Sequence, residues 1–181
     1  MYQYTMLESQ IKNFLHSKSI FVPKQLTMAR LTKRTNINLR FYDDDSAATV
    51  SNGAVYIFIN ERLPENLQWI EFCHEFCHAT QHYGDQMRLQ KSFVEYQESK
   101  ARNFAMHLSV PTLMLRRMHL PHNIIESSYM VADMFNVTPN YALRRLRHLE
   151  NQTLSAQLYE SFKESVPSPL QYLRYGTSEE V

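Results

Sequence analysis

The chain has 181 residues, 44% of them hydrophobic and 20% charged, with a formal net charge of +1. That length suits one domain, or one domain with a small appendage, and allows a substantial core. The near-neutral balance excludes a global pull toward nucleic acid or a membrane surface, and only three glycines argue against a β-sandwich rich in tight turns. The two cysteines, Cys73 and Cys77, are too few and too close for a secreted disulfide framework, so both are read as reduced thiols of a cytoplasmic protein. The start, "MYQYTMLESQIKNFL", lacks a basic segment followed by an apolar one. No apolar run approaches the ~20 residues that span a bilayer, so no membrane partner is expected.

In chain order, "YTMLESQIKNFLHSKSI" predicts a helix with Met6, Ile11, Phe14 and Leu15 on one stripe. "VPKQLTMARLTKRTNI" predicts a second, with Pro23 in its first turn. Three short strands follow, over 38–42, 47–51 and 54–60, the last two joined by Asn52-Gly53. Asn-Gly is the favoured two-residue hairpin turn because both positions accept positive φ, so a small antiparallel meander is expected. Everything beyond Pro64 reads as helical: 65–83, 91–110, a short segment opened by Pro111, then 122–135 and 138–150, with 151–165 as a last helix. The tail 166–181, with two prolines, is expected to be loosely held.

The first predicted helix of this half contains His74-Glu75-Phe76-Cys77-His78, an H-E-x-x-H pattern. Residues four apart on a helix project from one face, so two imidazoles can grip one metal ion. Glu75, about 100° around the axis from His74, can sit beside that ion and take a proton from water without ligating it. Trp69, Ile70, Phe72, Cys73, Phe76, Cys77 and Ala79 make the helix apolar around most of its girth. A buried helix of this kind must satisfy its histidines and glutamates, and a metal would do so together. Core histidines paired with other side chains are the plain alternative. His82 continues the row, but eight residues of helix rise about 12 Å, too far for the same ion. The metzincin continuation fails too, since Gln81 and Gly84 stand where it needs glycine and histidine. A third ligand must come from elsewhere in the chain; Glu98, on the next helix, is the first choice and Glu95, one turn earlier, its rival. His107 is a weaker candidate, for the site wall. A second donor to a developing oxyanion could be Tyr56, Tyr83, Tyr96 or His107.

"YIFIN" before this helix, and "ESKARNFAMHLSVP" after it, resemble the strand and second motif of the ImmA/IrrE metallopeptidases. The matching positions of the second motif are Glu98, Ala101, Phe104, Ala105 and Pro111. "VADMFNVTPNYALRRLRHL" resembles the helix-turn-helix-like segment that often follows, so the likeness runs from about Val55 to Leu149. Cys77 replaces a usual small residue and Arg102 a usual asparagine, changes that touch neither ligand nor base. The resemblance implies an α+β, mainly helical protein, its small antiparallel three-stranded sheet packed on a zincin-like helical core. With the elements read above, a zinc endopeptidase domain is expected over 1–120 and a helix-turn-helix-like segment over 121–165. The resemblance assigns His74, His78 and Glu98 to zinc and Glu75 to catalysis. Its implied job is to cut and inactivate a helix-turn-helix repressor of a prophage or mobile element. Substrate is expected to add as a strand along 54–60.

Two other functions compete. Arg144, Arg145, Arg147 and His148 could face DNA. Leu143, Leu146 and Leu149 at helical spacing argue instead that this helix is packed and its arginines solvated. A structural metal could also stabilise a protein that sequesters the repressor uncut, although structural zinc is usually closed by four protein ligands.

Overall fold

A computed structural model describes residues 2–81 and 90–165. His82, Tyr83, Gly84 and the predicted loose tail 166–181 lie outside the described residues. The mainly helical α+β reading holds: the described residues form seven α-helices and a three-stranded sheet.

Helix α1 (Met6–Ser17) opens on a reciprocal capping box. Glu8 N donates to Thr5 Oγ1 (3.2 Å), and Thr5 N donates to Glu8 Oε2 (2.9 Å). Ile11 and Leu15 of the expected stripe enter the core, whereas Met6 is 80% exposed. The predicted second helix divides into a 3-10 turn, Pro23–Gln25, and α2 (Met28–Thr35), whose own N-cap is Thr27.

Strands β1 (Asn38–Tyr42), β2 (Ala47–Ser51) and β3 (Ala54–Asn60) form one sheet in the order β1-β3-β2. The hairpin is as expected: β2 runs antiparallel to β3 from Ala47↔Phe58 to Ser51↔Ala54, across Asn52 (φ 52°) and Gly53 (φ 78°). The meander is not. β1 pairs with β3 in parallel, from Asn38↔Tyr56 to Tyr42↔Asn60, so the sheet is mixed. The cause is burial. Ile57 and Ile59 of β3 are fully buried, and a strand so apolar belongs in the centre, while β2 is mostly exposed and takes an edge. The connection 43–46 arches over the end of β3. There Asn60 N donates to Ser46 Oγ (3.1 Å), Glu61 N donates to Tyr42 O (3.0 Å), and Asp43 pairs with Arg62.

Helices α3 (Glu65–Gln81) and α4 (Lys91–Ser109) pack on each other, and α3 also lies on β3 and β2. Short α5 (Thr112–Leu115) and α6 (Ile124–Phe135) follow, α6 closing on Asn136 in the left-handed conformation. The two helices predicted over 138–150 and 151–165 are one, α7 (Pro139–Ser165). No glycine or proline interrupts it.

Residues 4–146 form one compact unit, and the described residues 2–3 and 147–165 belong to a second. In the larger unit Leu15, Ile20, Leu31, Phe72, Leu108 and Val131 are fully buried. The expectation that the arginines of α7 are solvated holds for Arg144 and Arg147 but not for Arg145, which is fully buried. Arg145 shares the core-facing stripe of Ala142 and Leu146, and polar partners surround its head. Its Nε donates to Val110 O (3.1 Å) and its Nη2 to Thr112 Oγ1, with Glu8 Oε1 at 3.8 Å. Among the described residues no helix is long and apolar enough to cross a membrane.

Candidate metal centre

Helix α3 buries Trp69, Phe72, Cys73, Phe76 and Cys77, which leaves one narrow face for polar groups. His74 and His78 share that face, their ring centroids 4.8 Å apart and their Nε2 atoms 3.1 Å apart. Glu98 reaches them from α4: Oε2 lies 3.1 Å from His74 Nε2, and Oε1 lies 3.3 Å from His78 Nε2. What lets α4 come this close is visible in its sequence. Ala101 and Ala105 follow Glu98 at three and seven residues, both buried, and their small side chains admit the neighbouring helix.

The spacing suits an ion. A tetrahedral zinc with bonds of about 2 Å sets its ligand atoms roughly 3.3 Å apart. The two Nε2 atoms, 3.1 Å apart, match this, and Glu98 brings Oε2 to 3.1 Å from one and Oε1 to 3.3 Å from the other. The three side chains are 12–30% exposed, so solvent reaches the group. They are the one grouping of at least three His, Cys, Asp or Glu residues with metal-ligand spacing among the described residues.

Glu75, only 8% exposed, lies beside them. Burial, then the neighbouring Glu71 and Glu98 carboxylates, push its pKa from 4.5 to about 8, while hydrogen bonding from the Ala48 backbone works the other way. This contact with β2 is the feature that sequence reading missed. It belongs to a backbone group, which no side-chain pattern reports.

The remaining candidates separate cleanly. Glu95 is exposed and paired with Lys91 (4.0 Å), away from the histidines. His107 is buried with its Nδ1 3.9 Å from Glu8 Oε1. Nine residues beyond Glu98 on the same helix, it sits about 13 Å farther along the axis, so it is no part of the site wall. Tyr96 is 53% exposed, with Lys100 Nζ 4.6 Å from its ring centroid. Tyr56 stacks on Phe58 (6.2 Å), on the sheet face opposite Ile57 and Ile59. Tyr83 lies outside the described residues. Cys73 and Cys77 are free, buried thiols. Burial raises Cys73 far above its usual range and pushes Cys77 up to about 12, so neither offers a ready thiolate. Strand addition along 54–60 is also overturned, because β3 is paired on both edges. The free edge nearest Glu75 is that of β2.

Residues 28–147 match the Peptidase M78 family as an IrrE N-terminal-like domain, a span from α2 into the first turns of α7. The chain belongs to this metallopeptidase family. Two relatives come from Bacillus subtilis (strain 168). The uncharacterized protein YqaB is 31% identical over 169 residues, covering 89% of this chain and 98% of its own. The phage-like element PBSX protein XkdA is 32% identical over 151 residues, covering 83% of this chain and 76% of its own.

Proposed function

We propose that this protein is a cytoplasmic zinc-dependent endopeptidase that cleaves and inactivates a helix-turn-helix transcriptional repressor. The observation that carries the reading is the convergence of His74, His78 and Glu98: the two Nε2 atoms lie 3.1 Å apart and each is 3.1 to 3.3 Å from its own oxygen of Glu98, with a buried carboxylate nearby. Membership of a metallopeptidase family supports the reaction class. The name of XkdA, a phage-like element protein, supports a mobile-element setting in which a repressor is the natural target.

In this reading His74, His78 and Glu98 hold the ion. Zinc, when bound there, supplies Lewis-acid polarisation of a peptide carbonyl and acidifies water. Glu75 removes the proton from the attacking water and passes it to the leaving amine. Burial keeps this carboxylate away from competing solvent. The substrate backbone adds to the free edge of β2, next to Glu75, where main-chain hydrogen bonding asks little of the side chains. Residues 1–120 carry the chemistry, and 121–165 serve to dock the folded repressor.

The competing sequestration reading keeps the ligands and dispenses with Glu75. Incubating the chain with the repressor encoded beside it, with and without a chelator, separates the two by mass analysis of fragments. Cleavage that stops with chelator, and in metal-loaded Glu75→Gln protein, is the expected result. A Glu75→Gln variant that inactivates the repressor as well as wild type would sink the peptidase assignment. Operator binding that persists without metal and falls steeply with salt would favour the DNA-binding alternative. Burial of Arg145 already removes one of the four cationic residues that reading needs.

A further inference from the structure

Glu71 stands one turn before the catalytic pair on the same face of α3, at three residues from His74, four from Glu75 and seven from His78. It is half-buried. Among the described residues it forms no ion pair and accepts no hydrogen bond, whereas Glu8, Asp43 and Glu95 each face a cationic partner. The helix dipole gives no reason for it either. Glu71 is the seventh residue of α3, beyond the first turn where a carboxylate is favoured. It even works against its neighbour, being the second cause of the difficulty with which Glu75 ionises. A divalent ion is matched in charge by Glu75 and Glu98. Glu71 is left over.

We propose that Glu71 is a specificity-determining residue whose carboxylate selects a lysine or arginine of the substrate close to the bond that is cut. The inference rests on the peptidase reading above and adds to it the charge of the preferred substrate. In the free chain Glu71 is partly exposed and solvated by water. A bound peptide displaces that water. A neutral side chain then leaves the carboxylate desolvated and unpaired, an acidic one adds repulsion, and a cationic one restores the lost interaction. One helical turn places Glu71 about 6 Å from Glu75 along the axis, the length of about two extended residues at ~3.3 Å each. The selected side chain is therefore within two residues of the scissile bond.

The test uses the zinc-loaded full chain and an equimolar mixture of random dodecapeptides, with the cut sites read by mass spectrometry. Wild type is expected to cut with Lys or Arg enriched about tenfold over Gln within two residues of the bond. Glu71→Gln is expected to abolish that enrichment, and Glu71→Lys to invert it toward Asp and Glu. Binding supplies a readout independent of turnover. In the zinc-loaded Glu75→Gln background, a fluorescent lysine-bearing dodecapeptide should bind more tightly than its glutamate counterpart at low salt, with the gap closed by Glu71→Gln. Cleavage by wild type with no cationic enrichment, or enrichment that survives Glu71→Gln, overturns the inference and leaves the peptidase reading intact. Absence of any cut in the mixture and in the repressor overturns both.

Discussion

Glu75 is placed where its charge is hardest to form. In the metal-free chain its pKa is lifted from 4.5 to about 8, so the fold favours the protonated acid. A group with a raised folded pKa contributes stability that is complete below its ordinary value and lost as pH rises to the folded one. Metal-free wild type should therefore lose stability against metal-free Glu75→Gln between pH 5 and pH 8, by up to ~4 kcal/mol. Urea unfolding of the two proteins across that range measures it, and a flat difference would contradict the placement of this carboxylate. A bound cation acts in the opposite sense, so zinc should erase most of the difference. With metal and substrate present, Glu75→Gln should lower kcat by about two to four orders of magnitude while retaining the ion, whereas His74→Ala should lose both. The cysteines behave as buried hydrophobic residues. With Cys77 pushed up to about 12 and Cys73 also raised, iodoacetamide at pH 8 should label neither thiol in the folded chain and both after unfolding. Rapid labelling of native protein would show that α3 opens.

At the scale of elements, the site depends on how closely two helices approach. The i, i+4 geometry of His74 and His78 is local to α3 and was legible from spacing alone. The choice of Glu98 over Glu95 was not, because the two lie three residues apart, on neighbouring turns of one side of a helix. Resemblance favoured Glu98, and the fold agrees: Glu98 meets both imidazoles, whereas Glu95 pairs with Lys91, and the small buried Ala101 and Ala105 follow Glu98 on α4. Ala101→Leu should test this contact. Overpacking there should cost about 1–3 kcal/mol in a denaturant titration and weaken zinc affinity more than tenfold, since the added methyls displace Glu98 with its helix. Retained affinity would mean the helices tolerate separation. In the sheet, the Asn52-Gly53 turn was legible for the same local reason as the histidine pair. The order of the strands was not, since the 43–46 connection from β1 to β2 suits either a meander or the observed crossing of β3.

For the larger unit as a whole, residues 4–146 are tied together by a buried polar cluster spread over the chain. Glu8 of α1, His107 of α4, Thr112 of α5 and Arg145 of α7 meet there, with Thr112 Oγ1 hydrogen-bonded to Glu8. Removing one partner of a buried ion pair leaves the other uncompensated, so Arg145→Leu should cost about 3–5 kcal/mol. Glu8→Leu in the same chain should return part of it, and thermal unfolding of the single and double variants measures the coupling. Two equal and additive losses would show that the groups do not interact.

The sequence by itself determined what depends on neighbours a few residues apart: the amphipathic helices, the hairpin turn, the paired imidazoles and the acid between them. Tertiary structure decided which carboxylate completes the trio, which strand lies in the middle, and which arginine leaves the water. Those outcomes follow from burial and charge compensation between segments far apart in the chain, such as Glu8 with Thr112 and Arg145. Local spacing carries no record of such distant partners, because they become neighbours only when the core closes.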